Sequence, residues 1–275
     1  MKGKLKNLII TLIVVLVLLL PILIDYYGDK SLEMLTYDNY ITEVESGVSS
    51  IIYYGDTEND DFKNISKTLL SMNKKFDINV KALNYNDLNE DQIVELLDQE
   101  ELKDLKTGLI FAKHRAVEYI HDGDVDQKNL EALINKYFNN VILEDEIAYK
   151  KPKDANAYKK IINSKNIVMT VFGRSNCTWC VDFKPVYNDI ANKHKINVYV
   201  FESDLDNEEE YEKVMKLGLK IPKNCTDTGK AEDLADGFGT PLTLFTKNGK
   251  VIDCISGYLP RKSLEAKLKS VGMIE

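Results

Sequence analysis

The sequence predicts an α/β protein: two tandem units, each a central mixed sheet flanked by helices, following an N-terminal transmembrane helix. Three observations predict it. Strand-like and helix-like segments alternate along the body, the body repeats itself once, and an uncharged apolar run fills the N-terminus.

The apolar run extends from Leu8 to Ile24, with only Thr11 and Pro21 as departures. That reaches the lower end of the roughly 17–25 residues a helix needs to cross a bilayer core. Lys2, Lys4 and Lys6 precede it, and Asp25 and Asp29 follow. The bias of positive charge toward the cytoplasm then places residues 1–7 inside as a basic tail, residues 8–24 as a signal-anchor and the body outside the cytoplasm. Tyr26 and Tyr27 suit the membrane interface. The competing reading is a long signal peptide that is cleaved, although no A-x-A-like site follows the run. Residues 25–35 are read as a linker.

Composition narrows the partners. A net charge of −8 and a pI near 5.1 argue against nucleic acid and against an anionic membrane surface as a binding partner. Hydrophobic content of 44% allows a buried core. Four cysteines, Cys177, Cys180, Cys225 and Cys254, are too few to build the fold, so their role is local.

The two units are expected at 36–144 and 145–275. Tyr40–Val80 aligns without a gap on Tyr158–Val198, pairing Gly55 with Gly173 and Ile78-Asn79-Val80 with Ile196-Asn197-Val198. Farther on, Phe111-Ala112-Lys113 pairs with Phe245-Thr246-Lys247, and Leu130-Glu131-Ala132 with Leu264-Glu265-Ala266. Between these blocks the second unit carries an insert that includes Cys225. Duplication explains the shared pattern, turn glycines and closing helix.

Each unit reads alike. A short helical lead precedes a buried strand (51–54; 168–172) and a helix (61–73; 177–193). A second strand follows (78–83; 196–201), then a variable helical connector. A hairpin comes next (109–111 with 117–120; 242–246 with 251–256), and a last helix closes the unit (127–138; 261–271). The Lys247-Asn248-Gly249-Lys250 turn is a strong hairpin signal, because Asn-Gly accepts positive φ at low cost.

The chemistry concentrates in Phe172-Gly173-Arg174-Ser175-Asn176-Cys177-Thr178-Trp179-Cys180. A C-x-x-C here sits where a strand turns into a helix. A thiol at a helix N-terminus meets unpaired backbone N–H groups and the positive end of the macrodipole, both of which favour the nucleophilic thiolate. Such a pair also serves as half a zinc site, which here needs Cys225, Cys254 or one of the scattered His114, His121 and His194 to converge on it. Cys254 lies in a strand pattern and reads first as a small buried hydrophobe; a Cys225–Cys254 disulfide is the sharper alternative.

This order of strands and helices, with C-x-x-C at the first helix, resembles the thioredoxin superfamily. Pro185 stands where the family's active-site helix is kinked, and Pro185-Val186-Tyr187-Asn188-Asp189-Ile190-Ala191 resembles its continuation. Gly239-Thr240-Pro241-Leu242 resembles the segment that carries the family's cis-proline, and Phe245 through Gly257 its hairpin. The resemblance is closest to membrane-anchored, extracytoplasmic bacterial members. It implies Cys177 as attacking thiolate and Cys180 as resolving thiol. It implies Thr240 and Pro241 as substrate-facing backbone. Trp179 reads as an apolar substrate rim or as packing against the neighbouring copy, and Arg174 as a tuner of the thiol pKa or a solvated charge. Two features depart from thioredoxins proper: Thr178-Trp179 fill the centre of the motif, and Val171 stands where those proteins carry a buried acid.

The first unit lacks this equipment. At its corresponding positions Cys177 and Cys180 fall on Asn59 and Phe62, Pro185 on Lys67 and Pro241 on Thr107. It is expected to be a degenerate, chemically blank copy that serves as structure, partner-binding unit or spacer. The whole chain is then expected to be a membrane-anchored thiol–disulfide oxidoreductase. Its partners are extracytoplasmic protein or peptide thiols and disulfides, with a membrane redox partner to complete the electron path. The Cys177–Cys180 disulfide is the redox group, with no metal and no other cofactor. The reading from a different class is a non-catalytic accessory protein that binds an exported peptide or partner and keeps C-x-x-C as a structural bond.

Overall fold

Ile51-Ile52-Tyr53-Tyr54 and Val168-Met169-Thr170-Val171-Phe172 are runs with no polar face, which suits strands covered on both sides. Each becomes the central strand of a mixed sheet. The structure, a computed structural model, describes residues 31–97 and 107–275. The expected tail 1–7, the expected span 8–24 and most of the expected linker lie outside them. Among the described residues no helix is long and apolar enough to cross a membrane.

The first unit runs β1 (Glu33–Leu35), α1 (Tyr37–Ser46), β2 (Ser50–Gly55), α2 (Asp60–Phe76), β3 (Asn79–Asn84), α3 (Glu90–Leu97), β4 (Gly108–Lys113), β5 (Ala116–Asp122) and α4 (Gln127–Tyr137). Its sheet has the order β1-β3-β2-β4-β5, with β1 and β2 parallel to β3 and the β4–β5 hairpin antiparallel. The two-residue period of β2 sends Ile51 and Tyr53 to one face and Ile52 and Tyr54 to the other. The first pair packs with Leu69 and Met72 of α2 and Leu130 and Ile134 of α4. The second pair packs with Tyr40 of α1 and Leu96 of α3.

The second unit repeats this plan with α5 (Ala155–Ile162), β6 (Val168–Gly173), α6 (Thr178–His194), β7 (Val198–Glu202), α7 (Glu208–Met215), a short β8–β9 ribbon (Lys220–Ile221, Glu232–Asp233), β10 (Leu242–Lys247), β11 (Lys250–Ser256) and α8 (Arg261–Val271). The sheet order is β11-β10-β6-β7, and a parallel bridge from Lys150 to Tyr199 stands where β1 lies in the first unit. Met169 and Val171 face α6 and α8. Phe172 faces α5 and α7. Two local details recur. Both hairpins slip register at matching places, Phe111/Ala112 and Phe245/Thr246. Asn59 and Cys177, aligned in sequence, each cap the helix that follows.

The predicted strands and helices appear with shifted ends, because helix α2 continues through Lys75 and Phe76 before Asp77 turns left-handed. Strand β1 falls within the stretch read as linker. Its three residues carry no period of their own and are a strand only through pairing with Lys81–Leu83. The four apolar clusters each stay within one unit. Polar and aromatic contacts join the units instead: Lys136 Nζ lies 2.9 Å from Asp189, the Tyr137 hydroxyl donates to Asp189, and Arg261 stacks 5.7 Å over the Tyr119 ring.

The insert is pinned by a disulfide between Cys225 and Cys254. This corrects the reading of Cys254 as an unpaired hydrophobe, although it is buried among Phe172, Leu242 and Leu244. Each of the four sulfurs is thus bonded to another. The bond spans a sequence separation of 29. Replacing both Cys225 and Cys254 by Ala should lower unfolding stability by about 3–4 kcal/mol from loop-closure entropy, measured by denaturant titration.

Candidate functional site

Strand β6 ends at Gly173, three residues turn the chain, and Cys177 begins α6. Cys177 is its N-cap, half-buried, with Sγ 3.2 Å from the backbone nitrogen of Cys180. Backbone N–H groups of the first turn and the helix dipole therefore point at this sulfur and favour negative charge on it. Cys180, one turn on, is buried and bonded to Cys177. Gly173 makes room for it: a Cβ there would stand 3.3 Å from the Cys180 sulfur. Pro185 lies inside α6, as expected.

The Thr240–Pro241 bond is cis, and the Thr240 carbonyl oxygen lies 3.5 Å from Cys177 Sγ. Pro241 is fixed from its other side, because its carbonyl accepts from the nitrogen of Gly257 at 2.8 Å. Cys177, Cys180, Thr240 and Pro241 thus converge, while Trp179 stands at the rim, 50% exposed. Arg174 is exposed, and its charge acts on Asp204 and Tyr211. Asp204 is held below its usual range first by the Ser175 hydroxyl and amide, with Arg174 adding to them.

Two buried acids flank the pair. Glu202 is the register partner of Gly173. Burial alone would raise its pKa, but Lys184 on α6 and Lys151, 3.0 Å away, hold it low. Asp182, two residues past Cys180 and 6% exposed, faces the first unit. It takes Lys113 Nζ at 2.7 Å, Asn140 Nδ2 at 2.7 Å and His114 Nε2 at 2.9 Å, the last off the line of a straight hydrogen bond. Burial opposes the charge; His114, Lys113 and Asn140 outweigh it and keep Asp182 well below the carboxylate range.

The first unit is therefore not chemically blank, as its missing cysteines suggested. Its β4–β5 hairpin presents His114 to Trp179, ring centroids 5.0 Å apart, and to Tyr258 at 5.4 Å. Glu118 on β5 is buried and accepts from the Tyr258 hydroxyl. Sequence reasoning named none of Asp182, Glu202, Glu118 and Tyr258, and took His114 only as a scattered histidine. One signal was available: Asp182 and Asp189, seven apart, share a face of a helix otherwise rich in apolar residues. The residues that pair with them lie on the other unit, which no local pattern reveals.

A strand that delivers a helix-capping cysteine to a cis-proline loop, with a second cysteine one turn on, defines a dithiol–disulfide site on an α/β sheet. Residues 155–272 match the family model described as a thioredoxin-like domain. The second unit is thus a thioredoxin-like domain. No curated protein sequence matches it. Among solved structures, thioredoxins from Malassezia sympodialis and Fasciola hepatica are each 18% identical with a TM-score of 0.32, covering 44% of this chain and 91% and 97% of theirs. One from Nicotiana alata is 15% identical with a TM-score of 0.33, covering 47% of this chain and 97% of its own.

Burial raises the pKa of Glu118 to about 7 against the Tyr258 hydrogen bond and the charges of His114 and Lys113, which pull it down. The folded state then holds a proton that the unfolded state releases near pH 4.5, so stability present below that pH is lost as pH rises toward 7. Glu118→Gln should leave stability unchanged at pH 4 and raise it by about 1–3 kcal/mol at pH 8, read from paired denaturation curves.

Proposed function

We propose that the chain is a membrane-anchored thiol–disulfide oxidoreductase that acts outside the cytoplasm on protein or peptide thiols and disulfides. Residues 8–24 are its anchor, with the N-terminus cytoplasmic. The body comprises a degenerate thioredoxin-like unit at 36–144 and the redox unit at 145–275. The observation that carries the reading is the contrast between the two disulfides. Cys225–Cys254 is sealed in an apolar cluster. Cys177 is half-buried at a helix start beside the cis Thr240–Pro241 bond, with a half-exposed tryptophan next to it. A purely structural bond has no need of that access.

In the reducing direction, the Cys177 thiolate attacks one sulfur of a substrate disulfide. A mixed disulfide forms and the first substrate sulfur leaves as a thiolate that takes up a proton. Cys180, giving up its proton, attacks the Cys177 sulfur, closes the Cys177–Cys180 bond and releases the second substrate sulfur as a thiolate that is then protonated. Two electrons pass from the protein dithiol to the substrate. The same steps reversed oxidise a substrate dithiol, and a membrane redox partner resets the pair. An extended substrate chain lies along the backbone at Thr240 and Pro241, against the rim at Trp179. Arg174 adds positive potential near the turn.

The test is thiol–disulfide exchange by the full chain in detergent. Cys177→Ala should reduce exchange to background. Cys180→Ala should still attack and accumulate a mixed disulfide through Cys177, visible by mass spectrometry. Exchange that survives Cys177→Ala overturns the proposal.

A further inference from the structure

The β4–β5 turn of the first unit is built against its own backbone preference. His114 and Arg115 have φ of 54° and 64°, both left-handed. The aligned turn of the second unit meets the same demand with Asn248 and Gly249, at 51° and 75°. Asn-Gly is the pair such a two-residue turn favours; a residue with a Cβ is held there at a cost, smaller for histidine than for arginine. A residue kept in a costly conformation is held there by its surroundings, and what holds His114 is the redox unit. Its ring touches Trp179, which lies between the two cysteines, and Tyr258, which follows the Gly257 that fixes Pro241. Trp179 and Tyr258 also meet each other, at 5.7 Å. Asp182 fixes the imidazole from below and is itself neutralised by Lys113 of the same hairpin.

We propose that His114 is a positioning residue of the redox site, contributed by the first unit. It packs against both Trp179 on the helix side and Tyr258 on the cis-proline side, and so sets the shape of the aromatic rim that an extended polypeptide disulfide must cross to reach Cys177. The first unit is on this account part of the substrate rim rather than a spacer. The inference rests on the proposed redox function. It assigns His114 no contact with the reacting sulfurs and no proton in the exchange.

Trp179 is the chain's single tryptophan, so its fluorescence reads the rim directly. The variant is His114→Asn, which suits the left-handed turn and removes the ring. If that variant alone fails to fold, His114→Asn with Arg115→Gly recreates the turn of the second unit and serves instead. The full chain in detergent, kept reduced by dithiothreitol, is assayed on insulin disulfides, and Trp179 is quenched with acrylamide. The variant should stay folded, because Lys113 and Asn140 still pair Asp182, and become more quenchable. Its KM for insulin should rise about three- to tenfold with kcat little changed, the size expected from losing one or two aromatic contacts. A merely structural turn predicts a stable variant with unaltered quenching and KM; either quantity unchanged overturns the proposal. The parent reading is tested separately by the wild-type chain and glutathione disulfide. No oxidation of Cys177–Cys180 by that reagent sinks the redox function itself, whatever His114 does.

Discussion

The geometry of this protein depends on how one carboxylate is kept charged away from water. Asp182 lies on the buried face of the redox helix, where an unpaired charge is costly. Lys113, His114 and Asn140 offset that cost, and all three come from the first unit or from the segment that leaves it. A helix that begins at the reactive cysteine is thereby tied, within its first two turns, to a different sheet. Asp189 repeats the arrangement farther along with Lys136 and Tyr137. Breaking one partner of such a pair strands the other, which makes a junction of this kind exacting in its geometry although little apolar area joins the units.

The same constraint explains the quality of the site. Backbone alone positions the sulfurs: a capping cysteine, a glycine that clears space for its partner, and a cis-proline loop held by Gly257. The rim around them is built from side chains of both units. The sulfurs are thus placed by one sheet and the aromatic rim around them by two.

Much of this was legible in the sequence. Ile51–Tyr54 and Val168–Phe172 announced central strands because they have no polar face. Cys177, Cys180 and Pro185 could be placed on one helix from their spacing, whereas Pro241 and its cis bond were legible only through the family resemblance. The Asn248-Gly249 turn declared itself, whereas the equivalent turn at His114-Arg115 did not, since its conformation is enforced from outside. Strand β1 was read as linker because three residues acquire strand character only from a distant partner. Asp182 and Glu118 were silent for the same reason: a buried acid is identified by what neutralises or protonates it, and those groups sit on the other unit. The Cys225–Cys254 bond stayed open because pairing is a property of the fold and not of the spacing.

The confinement of each apolar cluster to one unit has a consequence for how the molecule comes to order. Each sheet is covered by contacts made within its own stretch of chain. What couples them is a set of directional bonds that reward only a correct docking. Cooperativity between the two units therefore resides in the junction rather than in the cores.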